Sequence, residues 1–459
     1  MAILAALPAL AQPPLLLDDV LASVDRHYPP LLAALQDKVL AGADVTLAEG
    51  QFDLAVKSAY DGDYLGTYRN DVYKLGVEQA TQFQGMTYFA GYSLGRGSFA
   101  SYDGKSQTDL GGEYKAGVRI PTLRDRALDG RRADLQKALI GRRVAELGVD
   151  QQRLVIVQLA TRRYYDWVAA GRRYDVARSV LQTARQRDTQ LREAARLGQI
   201  PQIDVTDNQR AILTRQAQVI EAQRGLQQAS IELSLYYRDG SGTPLMPGPE
   251  RLPSSFPQLK RIDPQRLQND IELALKRRPE IQRLEAQRSQ IEVDRKLARN
   301  QLLPNVDVVL SYARQTGDRV VRRGPDDLMA SLVFDLKAQR RSAKAKTLSA
   351  LAKIEQYDQR SRFARDQVSA EVQDAYSALV AAYERARVLR EEVEITSQLE
   401  TAERVRFELG EGTLFLVNLR EQATFDTALK EVAALNEYFR ALALYEFAIA
   451  EAIARKPVK

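Results

Sequence analysis

Few side chains in this sequence could do acid–base, nucleophilic or metal chemistry. There is one histidine, His27, flanked by Tyr28 and Pro29, and there is no cysteine. A single imidazole builds neither a triad nor a metal centre, both of which need several such groups converging. Carboxylates are plentiful but run with arginines at i, i+3 and i+4, as in REEVEITSQLETAERVR, Arg390 to Arg406. That spacing gives ion pairs on a helix surface more readily than a catalytic carboxylate pair. GYSLGRG, Gly91 to Gly97, is not a phosphate loop, because no helix with a lysine follows it. No enzyme, cofactor or metal site is therefore expected. The net charge of +6 is the small excess of 66 basic over 60 acidic residues, which says little about a polyanionic partner; no nucleic-acid partner is expected. The densest basic stretch with aromatics is TRRYYDWVAAGRRYD, Thr161 to Asp175. At helical spacing it reads as a solvated face of Arg162, Arg163, Arg172 and Arg173 and a packed face of Tyr164 and Trp167.

The informative pattern is one of interruptions. RLGQIPQIDVTDNQR, Arg196 to Arg210, breaks a long charged helical pattern with a glycine and a proline and then resumes it. The segment ELGEGTLFLVNLREQ from Glu408 does the same, with Leu197 and Gly198 opposite Leu409 and Gly410, and Val205 opposite Val417. Earlier, RHYPPLLAAL from Arg26 is similar to KRRPEIQRLEA from Lys276, with Pro29 opposite Pro279. Arg238 to Leu259 is rich in proline, glycine and serine, as a linker is. The chain reads as a duplication: residues 12–238, a linker at 239–263, and residues 264–459.

Each half has a helical pattern, an extended region (about 50–120 and 303–336) and a long helical hairpin (about 123–237 and 338–454). Between Leu123 and Leu197 only isolated glycines interrupt, and apolar residues recur at near-heptad steps, as at Leu128 and Leu135 or Leu147, Leu154 and Val168. At a rise of about 1.5 Å per residue this helix runs to roughly 110 Å. Such polar helices need partners for their apolar stripes, which points to coiled-coil packing within and between chains.

The extended regions carry four alternating stripes: Phe52, Leu54, Val56; Tyr114, Ala116, Val118, Ile120; Val306, Val308, Leu310, Tyr312; and Leu328, Ala330, Leu332, Phe334. Their lengths are close to the nine to eleven residues that span an outer membrane. An ordinary half-buried sheet has the same period. Four strands cannot close a barrel and open edges are not tolerated in lipid, so several copies must cooperate; a trimer supplies twelve strands. The first half is the longer one, with its surplus between Tyr60 and Gly112, a segment dense in tyrosine and glycine that suits a long extracellular loop, an extra strand pair or a periplasmic elaboration. No run of 18 apolar residues suggests a membrane helix past the N-terminus. The opening MAILAALPALAQPP ends its apolar stretch in Ala9-Leu10-Ala11 before Gln12, a small-x-small pattern that marks residues 1–11 as a signal-peptide remnant without the usual basic start.

The duplication, RRPEIQ (Arg277 to Gln282) followed by ARNQLLPNVDVVLSY (Ala298 to Tyr312), and the paired LGQIPQIDV and LGEGTLFLV segments together resemble the TolC family of outer-membrane efflux proteins over nearly the whole chain. The resemblance implies a mainly α fold, a trimeric α-barrel of antiparallel hairpins continuous with a 12-stranded β-barrel, about four strands per chain. It implies a homotrimer in outer-membrane lipid with its helical tunnel in the periplasm, a periplasmic adaptor protein, and an inner-membrane transporter served in efflux or type I secretion. Leu197, Gly198, Leu409 and Gly410 become the hairpin tips where the adaptor docks. Asp204, Asp207, Leu416, Leu419 and Arg420 become candidates for closing the periplasmic aperture; the family often places aspartates where this chain has Leu416 and Leu419. The rival reading is a soluble coiled-coil scaffold with a small β cap. A plain diffusion porin fits a mostly helical chain less well, and the cargo, whether drugs, metal ions or polypeptides, is not written in the residues.

Overall fold

The computed structural model describes residues 13–100, 106–320 and 326–454; the expected signal remnant lies outside the described residues. Helices α1 (Leu17–His27) and α2 (Pro29–Glu49) lead into strands β1 (Ala55–Asp63), β2 (Asn70–Ala80), β3 (Thr87–Gly97) and β4 (Glu113–Pro121), then into α3 (Gly130–Arg196) and α4 (Gln202–Ser234). The order recurs with α5 (Leu267–Arg277), α6 (Pro279–Asn300), β5 (Asn305–Gln315), β6 (Asp326–Asp335), α7 (Arg341–Glu408) and α8 (Leu414–Ala448). The same steric rule breaks the first helix of each repeat. Proline disfavours the helical region for the residue before it, so Tyr28 (ψ 113°) and Arg278 (ψ 118°) are extended ahead of Pro29 and Pro279.

Two compact units form. One combines the chain up to Leu35 with Gly148–Ile281 and the chain from Ala364; the other combines Gln36–Leu147 with Gln282–Phe363. The first is helical, built on the fully buried Trp167, Leu154, Leu379 and Tyr438. Trp167 Nε1 donates to Ser230 Oγ at 3.1 Å, giving the indole its polar partner inside the core. The proline-rich connection is tied down. Phe256 stacks on Phe439 at 5.6 Å, Arg172 donates to the Pro253 carbonyl at 2.7 Å, and the Tyr438 hydroxyl donates to the Lys260 carbonyl at 2.8 Å. A segment with few main-chain partners of its own is satisfied by side chains of the helices it crosses.

The second unit carries one antiparallel sheet of six strands in the order β1-β2-β3-β4-β5-β6. This corrects the expectation of about four strands per chain. Strands β2 and β3 fall within the Tyr60–Gly112 surplus, which is thus an extra strand pair. The first expected stripe also shifts: Phe52 ends a short 3-10 turn and the strand starts at Ala55.

Register assigns every side chain to a face. One face carries Tyr60, Tyr73 and Leu94 in a row, then Leu75, Tyr92 and Tyr114, then Val118, Leu310 and Ala330. The other carries Lys74, Ser93, Glu113 and Gln315, and Lys57, Gly76, Gly91 and Lys115. The polar face is hollowed by a depression of about 550 Å³ lined by Lys57, Glu78, Thr87, Ser93, Lys115 and Arg119, with Lys57 and Glu78 ion-paired. On this face the Phe89 ring lies over Gly117, where a Cβ would stand 2.5 Å from the ring.

Candidate functional site at the helical tips

The two hairpins end in the same turn. At the first, the Gly198 amide donates to the Ala195 carbonyl at 3.0 Å and the Gln199 amide to the Ala194 carbonyl at 2.9 Å. At the second, Gly410 donates to Phe407 at 3.0 Å and Glu411 to Arg406 at 2.9 Å. This crossed pair satisfies the last helical carbonyls and requires a left-handed residue just past the helix. Gly198 and Gly410 supply it at φ +72° and +79°. The return helices start differently: Pro201 occupies the cap position of α4, while the Thr413 hydroxyl accepts from the Leu416 amide at α8. Beneath the turns Leu191, Val205 and Leu414 form a small buried cluster joined by Ile200 and Phe407. Outward, Leu197, Leu409 and Phe415 are 56%, 70% and 68% exposed.

About two to three helical turns behind the tips lies a buried ionic clasp with a contribution from each of the four long helices. Glu421 of α8 is 3% exposed and accepts from Arg187 of α3 and from Arg215 of α4, the latter at 2.7 Å. Arg404 of α7 reaches the same carboxylate at 3.4 Å and Glu400 at 2.5 Å. Arg187 also donates to Asn418 Oδ1 at 3.1 Å, and the Asn418 amide donates to Asp207 at 3.2 Å. Burial, reinforced by the charges of Arg215 and Arg404, pushes the Arg187 guanidinium down to about 10, which leaves it cationic at neutral pH. Burial also lowers Arg215. The clasp's chemistry is that of a fastener: it ties α3 and α4 to α7 and α8.

Residues 271–446 match the family model described as outer membrane efflux protein. The fold of this chain is shared over almost its full length with solved outer-membrane proteins. The MtrE outer membrane channel of Neisseria gonorrhoeae aligns over 96% of this chain and 90% of its own, with TM-score 0.68 and 14% identity. VceC of Vibrio cholerae aligns over 95% and 96% (TM-score 0.64, 15% identity), and CmeC of Campylobacter jejuni over 95% and 85% (TM-score 0.64, 13% identity). No curated protein matches the sequence.

The structure places Leu197, Gly198, Leu409 and Gly410 at the two turns and brings Asp207 into the clasp network through Asn418. Asp204 lies half-buried in the first turn of α4. Leu416 is half-buried and Leu419 is 52% exposed; neither these nor the Arg420 side chain contributes a hydrogen bond to the clasp. Sequence reasoning missed Glu421, Arg187, Arg215, Arg404 and Asn418. Alignment of the two turns carried the signal for Glu421. It stands opposite Gln209 and is the first acid of α8.

Proposed function

We propose that the protein is a homotrimeric outer-membrane exit duct, passively conducting substrate delivered by an inner-membrane pump and a periplasmic adaptor in a tripartite efflux or type I secretion system. The observation that carries this reading is the sheet. One face is apolar across all six strands and outwardly exposed, as at Leu328 (81%), Leu332 (69%) and Val56 (68%), while the opposite face is charged. Such a surface suits lipid on one side and water on the other. The family match of the second repeat supports the same assignment. In this reading the helical hairpins form the periplasmic tunnel and their tips meet the adaptor.

The tips then have two jobs. Leu197, Gly198, Leu409 and Gly410 dock the adaptor. Closure in the resting state falls to the clasp around Glu421, with Asp207 joined to it and with Asp204, Leu416, Leu419 and Arg420 lining the approach. The purified full-length protein tests the duct: a particle that needs detergent, fractionates with the outer membrane and has the mass of three chains is expected. A single chain soluble without detergent would establish the scaffold reading instead.

Docking is tested separately. No atom lies within 4 Å of a Cβ added at Gly198 or Gly410, so a valine there meets open space but must hold a left-handed backbone, at a cost of about 1–2 kcal/mol per site. Gly198→Val and Gly410→Val are expected to leave trimers intact and reduce adaptor cross-linking and drug tolerance. Normal tolerance in cells carrying both changes sinks the docking role.

A further inference from the structure

Among the described residues strand β1 pairs only with β2 and strand β6 only with β5, so the sheet ends in two open edges. Every residue of β1 and of β6 is exposed. An open edge cannot persist in hydrocarbon, because unpaired amides and carbonyls there have no water to turn to. Six strands are also fewer than the eight of the smallest membrane barrels. Closure therefore requires a second copy of this chain, with β6 of one copy pairing to β1 of the next.

The additional hairpin has the marks of barrel wall. Tyr73, Leu75 and Val77 of β2 share the apolar face with Tyr88, Ala90, Tyr92 and Leu94 of β3, and register continues that face without a step into β1 on one side and β4 on the other. Tyr60, Tyr73, Tyr114 and Tyr312 lie on this face in the halves of their strands farther from the helices, with Tyr92 at the middle of β3, an aromatic band that runs through β2 and β3 as it does through β1, β4 and β5. On the polar face, the Thr108 hydroxyl accepts from the Gly95 amide at 3.0 Å, and the Ser106 carbonyl lies 2.0 Å from where a Gly95 Cβ would stand. Ser106 and Thr108 thus pack on the charged side, which is where a barrel has its interior.

From this we infer that the assembled duct closes edge to edge with six strands from each copy, giving an 18-stranded outer-membrane barrel in the trimer. The inference rests on the trimeric duct reading above. With strands about 4.8 Å apart and tilted about 40°, a ring of 18 has a backbone diameter of about 36 Å against about 24 Å for 12. The cross-section of the exit is about twice as large. The outer-membrane opening is then of porin width, and passage of cargo is limited by the helical tunnel instead of the barrel.

Cryo-electron microscopy of the full-length protein in lipid nanodiscs tests this by counting strands in the membrane section. Eighteen strands around a threefold axis is the expected result. A trimer with a twelve-stranded wall and one hairpin of each chain displaced overturns the inference and leaves the duct standing. A particle of another copy number, or one with no membrane barrel, overturns the reading beneath it. The absence of native cysteines permits a second readout in intact outer membranes. Cysteine pairs scanned around Ala59→Cys in β1 and Ser331→Cys in β6 are expected to oxidise into covalent dimers and trimers. Cross-links from β6 to cysteines in β3 of another copy, with none to β1, mean that β1 and β2 lie outside the wall and refute it.

Discussion

Glu421→Gln is expected to release the tips and turn a closed duct into a leaky one without dispersing the trimer. The substitution leaves the size of the side chain almost unchanged and removes the charge that Arg187 and Arg215 face inside the protein. Arg187 and Arg215 are 8% and 4% exposed, so water cannot replace the lost partner. Burial lowers Arg187 only to about 10, so it cannot shed its proton at neutral pH to escape. Removing one partner of a buried ionic group costs about 3–5 kcal/mol. The contacts are confined to the hairpin ends, and the cost is therefore expected as local opening, with the open population raised at least about a hundredfold. The checks are amide hydrogen exchange across α8 from Leu414 to Phe425, conductance of single channels in planar bilayers, and the entry of a bulky antibiotic into cells.

Two further variants separate the clasp from a general weakening. Arg404 reaches Glu421 at 3.4 Å with a side chain 38% exposed, and an ion pair so open to solvent is worth about 0–1 kcal/mol. Arg404→Gln is expected to change conductance little. Replacing the three buried charges together, as Glu421→Leu with Arg187→Met and Arg215→Met, removes the unpaired guanidinium groups and is expected to recover much of the closed state. Unchanged exchange and conductance in Glu421→Gln removes the clasp from the account of closure.

The turns at Gly198 and Gly410 were legible because their requirement is local: a left-handed residue must end the helix, and the duplication states it twice. The breaks before Pro29 and Pro279 were legible for the same reason. The long helices were read from the scarcity of breakers, since α3 and α7 contain no proline. The clasp was not legible in this way. Arg187 and Glu421 are separated by 234 positions, and helix packing, not spacing along the chain, decides which arginine meets which acid. Aspartates in the frame of Asp204 and Asp207 point to Leu416 and Leu419, the latter two positions short of the buried acid Glu421. The strand pair is a different failure. Tyr73, Leu75 and Val77 alternate with Lys74, Gly76 and Glu78 as regularly as any stripe that was recognised. Glycine and tyrosine at such density suggest a loop, and glycine is an ambiguous signal in a strand that must curve.

The orientation of the sheet leads to the other large expected effect. Leu332 lies near the middle of β6 on the apolar face, opposite Val308, and Ser331 beside it points to the polar face, opposite Val309. In a lipid-embedded barrel Leu332→Arg places a guanidinium in hydrocarbon, at a cost of about 2–4 kcal/mol near the bilayer midplane. Ser331→Arg places the same group in the water-filled interior and is expected to cost much less. Folding into phospholipid vesicles, followed by urea titration of the full-length protein, should shift the Leu332→Arg midpoint well below that of Ser331→Arg. A sheet standing in water reverses the ranking, because Leu332 is 69% exposed in the single chain and an arginine in its place removes apolar surface from solvent. Neighbouring residues of one strand therefore distinguish lipid from water. A Leu332→Arg protein that folds as well as Ser331→Arg excludes the membrane-spanning sheet whatever the number of its strands.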